Sequence, residues 1–142
     1  MKSMQSQLPM PSPNADSLAY WNAAREQRLL IRSCKACGAK HFMPRHLCPE
    51  CWSADLEWVE SSGLGSVHSC SVVHRAPTPV HMANAPYVIA LVDLDEGPRM
   101  FANVVGEGAP ATSIGDRVRV VFEDRGNGAK VPQFVRIKSP GA

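Results

Sequence analysis

Apolar positions along this chain change their period twice. Between Asn14 and Gln27, Leu18, Trp21 and Ala24 recur at a spacing of three with Tyr20 beside them, and the stretch ends in Arg25-Glu26-Gln27-Arg28. That pattern predicts a short helix, with Asp16 or Ser17 accepting a hydrogen bond from a free backbone N–H at its start. So short a helix is not stable alone, so its Trp and Tyr need a surface to pack on. Leu29, Leu30 and Ile31 then read as a short strand, and Leu56, Trp58 and Val59 as another. From Gly63 the period shortens to two. Strands are expected over Gly65–His74, Tyr87–Asp95, Met100–Val105, Asp116–Glu123 and Val131–Ile137, with turns at Asp95-Glu-Gly-Pro and Gly126-Asn-Gly. A single helical turn is expected before Ile114-Gly115-Asp116.

Five strands within about seventy residues, rich in β-branched side chains and punctuated by Gly and Pro, suit a small closed barrel such as an OB-fold. Phe101, Phe122 and Phe134 sit in apolar strand patterns and are expected in its core. The longest barrel loop, Ala76 to Pro86, is where a binding face would be built. Residues 1–13, with Pro9, Pro11 and Pro13, are expected to form a flexible or loosely docked lead-in. The organisation is therefore mainly β: lead-in 1–13, N-terminal helix and strand 14–33, a ribbon 34–62 and a barrel 63–138.

The ribbon follows from the cysteines. Cys34-Lys-Ala-Cys37 and Cys48-Pro-Glu-Cys51 are two Cys-x-x-Cys pairs separated by ten residues. Each pair predicts a knuckle whose backbone N–H groups point at sulfur, and the gap is long enough for a hairpin that brings the knuckles together. Zn²⁺ accepts four thiolates in a tetrahedron, and a site filled by four protein ligands leaves no position for water or substrate, so the zinc would be structural. Iron in the same rubredoxin-like geometry and a pair of disulfides also use four sulfurs. Disulfides would need an oxidising compartment, and the residues from Met1 to Pro9 contain no apolar signal core. His41 and His46 lie between the knuckles rather than at knuckle positions, and four thiolates already saturate the ion. Gly38 follows the first knuckle, where positive φ is needed. Trp52 holds the corresponding place after the second.

Charge changes the picture little. A net charge of +2, with 20% charged and 44% hydrophobic residues, is ordinary for a soluble globular protein and argues against one built to neutralise many phosphates. No apolar run approaches bilayer length. Four of five cysteines in one metal constellation fit a reducing interior, and the expected address is the cytoplasm.

Catalytic constellations are weak. His68, Cys70 and His74 would share one face of a strand, but neighbouring positions on a face stand about 6.5 Å apart and no orienting group or oxyanion hole accompanies them. Cys70 reads as a small buried hydrophobe. Asp93, Asp95 and Glu96 lie at a strand end and turn where acids face water. Arg75, Arg99, Arg117, Arg119, Arg125 and Arg136 are scattered among acids, so a single-stranded nucleic-acid-binding OB module is the alternative rather than the first reading.

The order of motifs resembles the DUF35 family from about Leu18 to Ile137. The matching stretches are Tyr20-Trp21-Asn-Ala-Ala-Arg-Glu-Gln-Arg-Leu-Leu-Ile, Cys34-Lys-Ala-Cys37-Gly38, Phe42-Met-Pro-Arg45, Cys48-Pro-Glu-Cys51 and Leu56-Glu-Trp58-Val-Glu. Gly63-Leu-Gly65, Val72-Val-His74-Arg75-Ala-Pro77, the run from Pro86 to Arg99, and Ile114-Gly115-Asp116 follow. Trp52, where the family usually has Gly, and Cys70, where it usually has an aromatic, depart from it. The resemblance implies a rubredoxin-like zinc ribbon plus OB-fold, acting as a non-catalytic subunit. It would partner a thiolase-superfamily enzyme (thiolase, synthase or aldolase) or a hydratase, support that catalytic chain and help enclose an acyl-CoA thioester. Trp21, Arg28, Phe42, Arg45 and Arg75 are the candidate contacts to CoA or partner. The arginines are named because CoA phosphates pair with guanidinium, although Arg45 and Arg75 could equally hold ribbon against barrel.

Overall fold

The computed structural model describes residues 8–137. Most of the expected lead-in, residues 1–7, and Lys138 at the expected barrel boundary lie outside the described residues. The element order is α1 (Leu18–Arg25), β1 (Leu30–Cys34), β2 (Lys40–His41), β3 (Leu56–Glu60), β4 (Leu64–Val73), α2 (Pro79–Met82), β5 (Tyr87–Leu94), β6 (Arg99–Val104), a 3₁₀ turn (Ala109–Ala111), β7 (Arg117–Gly126) and β8 (Ala129–Arg136). Strands β2-β1-β3 form a small sheet, and β4-β5-β6-β8-β7 close into a barrel, an arrangement consistent with an OB-fold.

The barrel core follows the two-residue alternation. Val88, Ala90, Val92 and Leu94 of β5 point inward, as do Met100, Ala102 and Val104 of β6. Phe134 of β8 is fully buried at their centre with Val118 of β7. Tyr20, Leu29 and Ile31 belong to the same cluster, so the helix and first ribbon strand are seated on the barrel rather than standing apart.

Several expectations change. The buried face of α1 is Tyr20, Ala23 and Ala24, and Leu18 is 51% exposed. Two alanines side by side let the helix backbone approach the barrel closely, which the wider Leu18 row would not. The helix start is held by a reciprocal pair, not by Asp16 or Ser17 acting on the first turn: the Ser17 N–H donates to Asn14 Oδ1 (2.9 Å) and the Asn14 N–H to Ser17 Oγ (3.0 Å). The segment between the knuckles is not a hairpin of its own. Its one strand, β2, pairs back on β1 through Arg32↔His41 and Ser33↔Lys40. Phe101 is not core. It stands on the outer side of β6, 62% exposed, because its neighbours Met100 and Ala102 take the inward positions. The expected loop from Ala76 to Pro86 contains the single turn α2, capped by Thr78, whose Oγ1 accepts from the His81 N–H.

Glu96, in the β5–β6 turn, fastens the linker between sheet and barrel. It accepts from the Ser61 hydroxyl (2.7 Å) and the Ser62 N–H (2.8 Å). The end of α1 is tied to the β7–β8 turn by Arg25 Nη1 donating to the Asn127 carbonyl (3.1 Å).

Candidate metal centre and the adjoining cleft

Two knuckles with matching backbone bonds present the four cysteines. In the first, the Gly38 N–H donates to the Cys34 carbonyl and the Cys34 N–H to the Ala39 carbonyl, both 2.8 Å. In the second, Trp52 N–H to Cys48 O and Cys48 N–H to Ser53 O are both 2.9 Å. The residue closing each knuckle lies in the left-handed region, Gly38 at φ 78° and Trp52 at φ 67°. The knuckles are crosslinked by Lys35 N–H donating to the Asp55 carbonyl (2.9 Å).

The sulfurs of Cys34, Cys37, Cys48 and Cys51 all lie within 4.8 Å of one another, with Cys34–Cys51 at 3.6 Å and Cys37–Cys48 at 3.7 Å. A tetrahedron with metal–sulfur bonds of about 2.3 Å has edges of about 3.8 Å, so the donor set has the size that zinc requires. Cys34 and Cys48 are buried while Cys37 and Cys51 face outward.

The electrostatics ask for a cation. The backbone N–H of Cys37, with help from that of Ala36 and the neighbouring thiols, outweighs burial and brings the Cys34 thiol down to about 7. Cys51 goes the other way. The Ser53 N–H favours its thiolate, yet burial and the thiols of Cys34, Cys37 and Cys48 push it up to about 12. Four thiolates cannot coexist at this spacing without positive charge at their centre, and a divalent ion supplies it.

The histidines stay outside this group. His41 stands across from Arg32, and burial, then the charges of Arg32 and Arg45, hold its imidazole below the usual value. His46 Nδ1 lies 3.5 Å from Asp16 Oδ2.

A cleft of about 540 Å³ opens where α1 and the loop after β2 meet the barrel. Trp21, Phe42, Met43, Tyr87, Phe101 and Gln133 are among its lining residues, and Tyr20 packs edge-on against both Trp21 (4.8 Å) and Phe42 (5.6 Å). Of the five sequence candidates, Trp21 and Phe42 thus meet at one site. Arg45 lines a neighbouring depression with Asp16, His46, Leu47, Pro49 and Trp52. Arg28 is elsewhere, its Nε 2.8 Å from Glu60 of β3, which gives it a local structural partner. Arg75 is exposed beyond the end of β4 and lines neither hollow.

His68, Cys70 and His74 do not come together as a site. A bulge between Val67 and Ser69 breaks the alternation of β4, so His68, Cys70 and His74 do not form one row. His68 sits beside Arg99 and Asp93, and Cys70 packs against the core with its thiol toward the Thr112 carbonyl (3.4 Å). Asp93 and Asp95 are taken up by Arg99 and Arg117, whose guanidinium bonds, weighed against slight burial, hold both carboxyls below the usual range. The sequence reading missed the cleft and the Glu96 clamp. Both join segments far apart in the chain, and no local pattern signals them.

Known proteins match this architecture part by part. Residues 21–57 match the family described as "ChsH2, rubredoxin-like zinc ribbon domain" and residues 58–123 the one described as "ChsH2, C-terminal OB-fold domain". With the sulfur geometry above, this makes the chain a zinc-ribbon and OB-fold protein whose four cysteines hold structural zinc. It belongs to the DUF35 family. A "DUF35 domain-containing scaffold protein" of Methanocaldococcus jannaschii is 38% identical over 104 residues, covering 72% of this chain and 73% of that one. A "Probable enoyl-CoA hydratase alpha subunit" of Thermomonospora curvata is 40% identical over 107 residues, 75% of this chain but 33% of that one, so this chain spans about a third of that relative. "Benzoylsuccinyl-CoA thiolase subunit BbsA" of Geobacter metallireducens is 38% identical over 74 residues, 52% of this chain and 48% of that one. Among solved structures, a chain of the "Ltp2-ChsH2(DUF35) aldolase" superposes with a TM-score of 0.78 at 36% identity, covering 89% of this chain and 98% of that one. No helix among the described residues is long and apolar enough to cross a membrane.

Proposed function

We propose that this protein is a non-catalytic subunit that assembles with a thiolase-superfamily or hydratase chain acting on acyl-CoA thioesters, stabilises that chain and helps enclose the substrate. The observation that carries the reading is the likeness, over nearly the whole of the matched chain, to the DUF35 component of the Ltp2–ChsH2 aldolase. The names of a scaffold protein and of a thiolase subunit among its relatives support it. The chemistry of this chain agrees. Four of its five thiols are committed to a closed metal site, and Asp93, Asp95 and His68 of the barrel surface are engaged with Arg99, Arg117 and one another rather than aimed at a common point. The apolar cleft beside Trp21 and Phe42 is the place where a thioester arm at a shared interface would be shielded from water.

One observation bears on nucleic acid as the alternative ligand: Phe101 presents its ring to solvent on a barrel strand, as a stacking platform does. Against it, four of the six barrel arginines among the described residues, Arg99, Arg117, Arg125 and Arg136, are each paired with a carboxylate, which leaves less free positive charge for phosphates. The test is affinity purification of the tagged protein from its native host with mass spectrometry of what co-elutes, followed by co-expression of the two chains. A thiolase-like or hydratase chain at near-stoichiometric yield is expected. Recovery of the protein alone, or with nucleic acid that salt removes, overturns the assignment.

A further inference from the structure

Trp52 closes the second knuckle in a conformation that suits glycine. Its φ of 67° is in the left-handed region, where the sister knuckle carries Gly38 at φ 78° and makes the same backbone bond. Among the described residues the other non-glycine positions with positive φ are Gln27 and Asn127, whose side chains are amides; a bulky aromatic is the least suited of the three. Packing within the described residues offsets little of this, because Trp52 is 76% exposed, the most of any large hydrophobic residue among them. A strained backbone that displays an apolar side chain to solvent is explained by a surface that covers the side chain in an assembly.

The surroundings state what that surface must look like. Trp52 borders a depression of about 420 Å³ lined by Asp16, Arg45, His46, Leu47, Cys48 and Pro49. Asp16 is engaged by His46 at 3.5 Å, while Arg45 lies within 4.0 Å of no carboxylate among the described residues. The Arg45 guanidinium therefore has no ion-pair partner among the described residues and lines the same depression as the Trp52 ring. We infer that Trp52 and Arg45 form the docking point of the zinc ribbon on the catalytic subunit, which offers an apolar recess for the indole rimmed by a carboxylate for the guanidinium. The inference rests on the accessory-subunit reading above and gives it a place on this chain. The zinc site explains the rigidity such a point needs, since the knuckle backbone is fixed through Cys48 and Cys51 on either side of the turn.

The experiment exploits opposed effects of one substitution. The catalytic chain that forms a stoichiometric complex with the wild-type protein is purified, and its affinity for the full-length zinc-loaded wild type, Trp52→Gly and Arg45→Glu is measured by titration calorimetry alongside each protein's thermal unfolding. Trp52→Gly is expected to raise Tm by a few degrees, because the strain is removed, and to weaken the complex at least tenfold. Arg45→Glu is expected to weaken it similarly with Tm unchanged. Undiminished affinity of Trp52→Gly, or a Tm that falls because the indole supports the ribbon from within, overturns the docking point while leaving the accessory role intact. A wild-type dimer in sedimentation that Trp52→Gly abolishes makes the occupant a second copy and overturns it as well. Failure of any catalytic chain to bind wild type removes the accessory reading itself, and this occupant with it.

Discussion

The guanidinium carbon of Arg32 lies 4.3 Å above the ring of Trp58, the two residues facing each other directly across β1 and β3. His41 stands opposite Arg32 on β2, so three side chains form one row across the ribbon sheet. Arg32 Nε and both His41 ring nitrogens are buried without a hydrogen-bond partner among the described residues. Burial, only partly opposed by Asp16, lowers the Arg32 pKa. The indole face is thus the main compensation for a partly desolvated cation. Trp58→Ala should destabilise the zinc-loaded protein by about 2–3 kcal/mol, from lost packing and an exposed charge imbalance. Trp58→Phe, which keeps an aromatic face, should cost about half as much. Urea unfolding of the two variants checks the ratio; equal costs would show that ring electrostatics play no part.

The metal centre holds the ribbon in place of a core. Its sheet has only β1, two residues of β2 and β3, and most of the apolar cluster that includes Ile31 belongs to the barrel. Removing zinc with a chelator, or replacing Cys34 or Cys48 by Ser, should unfold the 34–60 segment and lower solubility, because metal-binding free energy of about 10 kcal/mol or more is folding free energy in such domains. Limited proteolysis should cut between the knuckles in the metal-free form only. A protease-resistant ribbon without metal would refute the structural role.

Glu96 gives the linker clamp a pH dependence. Burial pushes its carboxyl up, but the Ser62 N–H and the Ser61 hydroxyl outweigh it and hold it below the ordinary value. A carboxyl depressed in the folded state contributes stability that is present above the unfolded value, about 4.3, and is lost as pH falls through the lower folded value. Unfolding free energy measured from pH 6 to pH 3 should therefore fall less steeply for Glu96→Gln than for wild type. Parallel slopes would mean that the clamp does not sense the charge.

Gly65 of β4 leaves no room for a side chain against β5. A Cβ there would stand 2.6 Å from the Asp93 carbonyl oxygen and 2.8 Å from Val92 Cγ1, and a carbonyl cannot swing aside without breaking the ladder. Gly65→Ala should cost about 2–3 kcal/mol by overpacking. Thermal unfolding reads the cost directly, and an unchanged Tm would mean that the barrel breathes at this crossing.

How much of this was legible in the chain depended on whether the determinant was local. Cysteine spacing alone placed the four ligands, since each knuckle is a short-range structure. The five barrel strands appeared in order because Gly and Pro punctuate them. Which face of a strand points inward was less visible. Tyr87 to Leu94 is apolar at seven of its eight positions, so alternation cannot choose between the set of Val88, Ala90, Val92 and Leu94, which is buried, and the set of Tyr87, Ile89 and Leu91, which is half-exposed. Met100-Phe101-Ala102 posed the same problem, and the barrel admits Met100 and Ala102. The bulge at His68 and the preference of α1 for its alanine face are decided by neighbours that the local sequence does not announce.

Phe101 separates folding from function more cleanly than any buried residue. Its side chain is largely in solvent and its strand neighbours carry the core, so Phe101→Ser should leave the stability of the free protein within about 0.5 kcal/mol of wild type. The same ring lines the cleft with Trp21 and Phe42, where the proposed shared thioester site would lie. If the cleft shields an acyl-CoA arm, the assembled enzyme carrying Phe101→Ser should show a KM for the thioester raised several-fold, with kcat less affected, because a contact uniform between ground and transition states is removed. The free variant's Tm and the complex's kinetics are independent measurements. An unchanged Tm together with an unchanged KM would place the thioester elsewhere on the catalytic chain and confine this subunit to scaffolding.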